Sequence, residues 1–178
     1  AQNLRVISQM AVGFDNIDIK AATAKKIPVG HTPGVLTETT ADMAWGLLMA
    51  VARRIVEGNN EVHQGIWRSW GPDVLCGQEV YGSTLGIIGF GRIGQAMARR
   101  AAGFNMNVLY HDLRPEPESE NKINARFVTL EELVSGSDFI SIHTYLSDKT
   151  KHMISRHNFK IMKKTDIIIN TDKGPIID

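Results

Sequence analysis

Midway along the chain a short apolar run ends in three glycines, Gly89, Gly91 and Gly94, spaced as G-x-G-x-x-G. Leu85 to Ile88 has the length and branching of a buried strand. Gln95 to Ala102, rich in alanine and arginine, reads as a helix that Gly103 closes. Each glycine then has a physical task. Gly89 permits a tight turn, Gly91 lets a pyrophosphate approach the backbone, and Gly94 lets helix and strand pack closely. The N–H groups that open the helix, at Arg92 and Ile93, sit at the positive end of its dipole and face the phosphates. A second strand, Met106 to His111, ends at Asp112, where a carboxylate would accept hydrogen bonds from an adenosine ribose. Together these features point to a bound dinucleotide.

The rest of the chain alternates in the same way. Leu4 to Ser8 reads as a strand, Ile17 to Lys25 as a helix and Ile27 to Val29 as a short strand. The turn His31-Thr32-Pro33-Gly34 breaks the pattern and marks a domain boundary, with residues 1–34 on one side and 35–178 on the other. A long helix is expected from Thr37 or Glu38 to about Glu57. Ala41, Ala44, Trp45, Leu48, Val51, Ala52 and Ile55 would form its apolar face. Thr37, Thr39, Thr40 and Asp42 crowd its start as candidate caps. His63 to Gln78 is irregular, and its Trp67 and Trp70 must pack against something.

Beyond the glycine turn, Arg114 to Lys122 reads as a solvated loop and Arg126 to Val128 as a strand. Thr129-Leu130-Glu131-Glu132 has the form of a capping box, opening a helix that Gly136 ends. Phe139 to His143, Ser155 to Met162 and Asp166 to Asn170 read as strand, helix and strand. This alternation predicts an α/β fold, a doubly wound parallel sheet of Rossmann type with ligands at the carboxyl ends of its strands. The stretches following those ends are Gly89 to Gly94, Asp112 to Arg114, His143 to Tyr145 and Asn170 to Gly174.

Composition narrows the partners. A net charge of +1 offers no case for nucleic acid, and the apolar runs are too short to span a membrane. The single cysteine, Cys76, fits a reducing cytoplasm. The six histidines form no ligand cluster, so no metal is expected. The chain opens at Ala1 and closes at Asp178 just after a strand, and reads as a piece of a longer protein.

Several stretches resemble the D-isomer-specific 2-hydroxyacid dehydrogenases. They are Gly89 to Ala98, Ser137 to His143, Ile167 to Thr171, Val12 to Asp18, Thr32 to Thr37 and Thr40 to Ala44. Gly65-Ile66-Trp67-Arg68-Ser69-Trp70 is similar to the glyoxylate/hydroxypyruvate reductase branch. The resemblance implies a hydride-transferring oxidoreductase acting on a small 2-oxo acid. It also implies a nucleotide domain preceded by part of a flavodoxin-like substrate domain, and a homodimer formed through the long helix and the Trp67/Trp70 loop. Val12 and Gly13 would present N–H groups to the substrate carboxylate. Thr144, Tyr145, Thr150, Thr171 and Asp172 would line the coenzyme. The family uses an arginine, a glutamate and a histidine, and no histidine of this chain matches the third role.

The arginine's Asn-x-x-Arg-Gly pattern reads here Asn170-Thr171-Asp172-Lys173-Gly174. Lys173 keeps the cation but loses the planar fork that grips a carboxylate. Asp172 is positioned in sequence to pair with it. Tyr145 stands where the family usually has proline. Asp112 favours NAD by repelling a 2′-phosphate, whereas Arg114 two residues on keeps NADP open. The alternatives to catalysis are a non-catalytic dinucleotide-binding dimer resembling the C-terminal binding corepressors, or a fragment inactive by itself.

Overall fold

The computed structural model describes residues 3–178. At the start of the chain, β1 (Ile7–Ser8) pairs in parallel with β2 (Val29–Gly30). The connecting helix α1 (Ile19–Ala24) is capped by Asp18, whose carboxylate accepts the Ala21 N–H at 2.9 Å. This two-stranded sheet is separate from the main one. Helices α2 (Thr37–Ala52) and α3 (Ile55–His63) follow.

The main sheet then begins with β3 (Thr84–Ile88), and α4 (Arg92–Ala102) leads to β4 (Asn107–His111). The chain continues through α5 (Pro117–Ile123), β5 (Ala125–Phe127), α6 (Leu130–Gly136), β6 (Phe139–Ile142), α7 (Arg156–Ile161) and β7 (Ile167–Asn170). All five strands are parallel, in the order β5-β4-β3-β6-β7. The chain runs outward from β3 through β4 and β5, then crosses back to lay β6 on the other side of β3. A crevice therefore opens beyond the carboxyl ends of β3 and β6, the switch point of a doubly wound sheet.

Period-two alternation divides the core between the faces of the sheet. Leu85, Ile87, Val108, Tyr110 and Phe139 pack with Ala41, Ala44, Leu48 and Ala52 of α2 and Ala96, Met97 and Ala101 of α4. Ile88, Leu109, Ile140 and Ile142 face the other way, onto Leu133 and Val134 of α6 and onto Ile154 and Ile176. Each fully buried Leu, Ile or Phe contributes about 1.5–3 kcal/mol through area removed from water. The strands of a sheet covered on both faces read as continuous apolar runs for this reason.

Most strands fall within a residue or two of their expected bounds, but β1 is confined to Ile7–Ser8. The long helix differs more. It ends at Ala52, Arg54 adopts left-handed backbone (φ 52°), and α3 sets off as a new helix. Ala52 cannot lead straight on, because the 77–78 segment docks there. The Gln78 N–H donates to the Ala52 carbonyl at 2.7 Å, and a Cβ on Gly77 would strike that carbonyl. Val51 and Ile55, expected on the apolar face, are exposed.

No threonine caps α2. Its N-cap is Leu36, without a side-chain bond, while Glu38 and Asp42 reach Arg99 and Arg100 of α4 at 2.5–2.9 Å. The expected loop after Arg114 contains α5, opened by Pro117 at its first position, where proline's missing N–H costs nothing. The capping box at Thr129 is present, with Thr129 and Glu132 exchanging bonds at 3.0 and 3.2 Å. Trp67 and Trp70 are exposed, the latter by 80%. Among the described residues no helix is long and apolar enough to cross a membrane.

Candidate functional site

At the exit of β3, Gly89 has φ +91° and donates its N–H to the His111 carbonyl at 2.9 Å. A Cβ there would collide with the His143 carbonyl, so the turn after β3 lies flat against the end of β6. A Cβ on Gly94 would run into the Gly89 carbonyl and stand 3.1 Å from Ile87 Cγ2, so α4 begins hard against the strand. Gly91 differs. No atom lies within 4 Å of where its Cβ would be. It caps α4 without a side-chain bond, and its carbonyl accepts the Gln95 N–H at 2.9 Å in the opening turn of the helix. The N–H groups of Arg92 and Ile93 stand in the opening turn, at the positive end of an eleven-residue helix. The Arg92 side chain reaches toward Gly34.

Asp112 is held beside this turn. Its Oδ2 accepts the Phe90 N–H and its Oδ1 the Leu113 N–H, both at 2.6 Å. Each oxygen keeps a further lone pair for a hydroxyl donor. Tyr110, fully buried, braces the arrangement and gave no signal in the sequence beyond its place before the acid. Its ring stacks on Phe90 at 3.8 Å between centroids. Its hydroxyl accepts the Glu116 N–H at 2.7 Å and donates to Glu120 at 2.5 Å. Burial first, then the Glu120 hydrogen bond, push the Tyr110 phenol up to about 12, so it remains a donor. The Arg114 guanidinium is 84% exposed and turned to Glu116 at 3.4 Å.

Thr144, Tyr145 and Thr150 share a narrow crevice with Gly89, His111 and Asp112. Thr150 Oγ1 donates to the Tyr145 carbonyl at 2.6 Å and accepts the Ser147 N–H at 2.8 Å, which closes the loop while the Tyr145 ring stays exposed. At the end of β6, His143 Nε2 lies 2.8 Å from Ser141 Oγ, and burial pushes the imidazole down to about 4, leaving it neutral.

The loop after β7 forms a second cluster. The Asn170 side chain accepts the Asp172 N–H at 2.9 Å and donates to the Lys173 carbonyl at 3.2 Å. Thr171 Oγ1 is buried without a hydrogen-bond partner among the described residues, an orphan that a ribose or amide group would satisfy. Lys173 does not turn to Asp172 as the sequence suggests. Its Nζ pairs with Asp15 Oδ2 at 3.3 Å, since the Asx turn at Asn170 draws the Asp172 backbone inward and the Phe14–Ile17 turn lies opposite. Burial raises the Asp172 carboxyl above the usual range; Lys173 opposes that shift and Asp15 adds to it.

Val12 and Gly13 lead into this turn. Their carbonyls meet His31 Nδ1 at 3.0 Å and Gln9 Nε2 at 3.1 Å, and neither N–H has an acceptor among the described residues. Cys76 is exposed and donates to the Pro72 carbonyl at 3.0 Å. No group of three His, Cys, Asp or Glu gathers as for a metal among the described residues.

A parallel sheet in this order, with an open glycine turn and an anchored acid at its switch point, defines a Rossmann dinucleotide-binding domain. Residues 45–178 match the model of the D-isomer specific 2-hydroxyacid dehydrogenase NAD binding domain, and the chain belongs to that family. It is 50% identical over 179 residues to a glyoxylate reductase of Korarchaeum cryptofilum, covering 100% of this chain and 54% of that protein. It is likewise 50% identical over 182 residues to a glyoxylate reductase of Thermococcus litoralis, of which it covers 55%. The TT0316 protein of Thermus thermophilus superposes with a TM-score of 0.94 at 44% identity, over 100% of this chain and 56% of that one. The chain thus spans about half the length of the curated relatives it matches.

Proposed function

We propose that the protein containing this chain reduces a small 2-oxo acid, glyoxylate foremost and hydroxypyruvate second, using a reduced nicotinamide coenzyme. The observation that carries this reading is the unobstructed Gly91 turn beside Asp112, in a chain half identical to proteins named glyoxylate reductase. The coenzyme supplies the hydride when bound. The chain's own residues grip and orient. Arg92 and Ile93 N–H groups receive the pyrophosphate, and Asp112 takes the adenosine ribose and favours NAD over NADP. Arg114, engaged by Glu116, offers a weaker counterweight toward a 2′-phosphate. Thr144, Tyr145, Thr150, Thr171 and Asp172 line the remainder of the coenzyme. Val12 and Gly13 N–H groups and the Lys173 ammonium hold the substrate carboxylate.

On this reading residues 1–34 belong to a substrate domain and 35–178 to the nucleotide domain, in a cytoplasmic homodimer. The exposed Met43, Val51, Ile55 and Val62 of α2 and α3, with Trp67 and Trp70, support an apolar subunit contact. The test is to assay the full-length protein with NADH and NADPH on glyoxylate, hydroxypyruvate and pyruvate. NADH-dependent turnover of glyoxylate is expected, and no turnover of any substrate overturns the reading. A non-catalytic dinucleotide-binding role is the second reading, favoured by the loss of the arginine fork at Lys173 and by its pairing with Asp15. Lys173→Arg separates the two: a gain in kcat/KM supports catalysis, and no gain supports the binding role.

A further inference from the structure

Lys173 and Asp15 come from opposite ends of the chain and meet at 3.3 Å, joining the turn after β1 to the loop after β7. Both sit on braced turns. Gln9 Nε2 donates at 3.1 Å to the Gly13 carbonyl and to Asn16 Oδ1, and Asn170 ties down the backbone on the other side. Asp15 also folds back over the turn, since a Cβ on Gly13 would lie 3.3 Å from Asp15 Oδ1. Its carboxylate thus overhangs the backbone to which the proposed function assigns the substrate's carboxylate. The charge count is unfavourable to such an anion. One ammonium lies among two carboxylates, ion-paired with Asp15 and next in the chain to the exposed Asp172. The pair is also accessible, with 47% of the Lys173 and 41% of the Asp15 side chain exposed, so an incoming anion can reach the ammonium and displace its partner.

We propose that Asp15 is a positioning residue that holds Lys173 through their ion pair and competes with the 2-oxo acid's carboxylate for its ammonium. The pair therefore sets substrate affinity rather than turnover. A lysine suits this use because its three N–H donors radiate from one point and can be handed from one carboxylate to another, which a planar fork does less readily. The inference rests on the proposed function for the identity of the anion, but not for the competition itself.

The experiment uses the full-length protein saturated with NAD, titrated calorimetrically with oxalate, alongside steady-state kinetics on glyoxylate, for wild type, Asp15→Asn and Asp15→Ser. With Asp15 neutralised, the oxalate Kd and the glyoxylate KM fall by about three- to fivefold, the scale of an exposed ion pair. Neither kcat nor the KM for NADH moves. A merely structural aspartate would instead leave oxalate affinity unchanged or weaken it together with coenzyme binding. Unchanged or weaker oxalate binding in both variants overturns the proposal, as does failure of every variant to bind oxalate. If oxalate tightens as expected while no 2-oxo acid is reduced, only the functional reading fails.

Discussion

At the scale of single residues, the three glycines of the turn are not equivalent, and their difference is testable. Gly94 is confined by the Gly89 carbonyl and Ile87, whereas Gly91 borders open space. Gly94→Ala overpacks the junction of α4 and β3 and is expected to cost about 1–3 kcal/mol of stability in urea denaturation. Gly91→Ala, whose extended backbone (φ −70°, ψ −161°) suits alanine, is expected to leave stability within about 0.5 kcal/mol. It is nevertheless expected to weaken NADH binding, read by fluorescence titration, because its methyl would occupy the path that the proposed function gives the pyrophosphate. Equal stability losses in the two variants would contradict this division. The tight turn at Gly89, the close packing at Gly94 and the place of Asp112 beside them were legible in the sequence because they are local, set by spacing along one strand–turn–helix unit. The partner of Lys173 was not. Sequence adjacency favoured Asp172, but the Asn170 turn and the fold of the distant Gly13–Asn16 segment decide for Asp15.

At the scale of elements, apolar periodicity located the helices better than it bounded them. Ala41, Ala44, Leu48 and Ala52 are buried as their spacing demands, yet the same spacing continues through Val51 and Ile55, which are exposed. What ends α2 is tertiary: the 77–78 segment occupies the space ahead of Ala52, and Arg54 takes left-handed backbone to redirect the chain. Left-handed backbone costs a non-glycine residue about 1–2 kcal/mol. Arg54→Gly is therefore expected to raise the urea midpoint by about 0.5–1 kcal/mol equivalent without changing the m-value. The Arg54–Glu57 ion pair it sacrifices is exposed and contributes little. A lowered midpoint would mean that the break is not strained. Helix α5 was hidden for the opposite reason: its acidic, proline-led sequence looks solvated, and no residue of it is buried. Its anchor is the Tyr110 hydroxyl, a contact from the preceding strand that no local pattern announces.

At the scale of the whole molecule, a net charge of +1 leaves little long-range repulsion, so the pH dependence of stability is set by individual groups displaced from their ordinary titration range. His143 is the principal group near neutrality. Burial lowers it from 6.5 to about 4, so between those values the unfolded chain binds a proton that the folded chain refuses. Stability is then full above pH 6.5 and declines as pH falls toward 4. At the alkaline end Tyr110 acts with the opposite sign. Its folded value is raised from 10.0 to about 12, so its contribution is complete below pH 10 and is lost as pH climbs through that interval. Glu38 and Glu132 are lowered chiefly by hydrogen bonds from Arg100 and Thr129, and at Asp138 burial is outweighed by the bonds from Lys163 and Thr84. These three add their losses only in the acid carboxylate range, below the onset of the His143 effect. Urea denaturation from pH 4.5 to 8 is expected to show a decline beginning near 6.5 and worth roughly 2–3 kcal/mol at its acid end. His143→Gln, which keeps a hydrogen-bonding group beside Ser141 but cannot titrate, should flatten that decline while leaving the carboxylate-dependent fall below it intact. An unchanged slope in the variant would show that the imidazole at the end of β6 is solvated enough to charge in the folded protein. The neutral His143 of the folded state would then have to be abandoned.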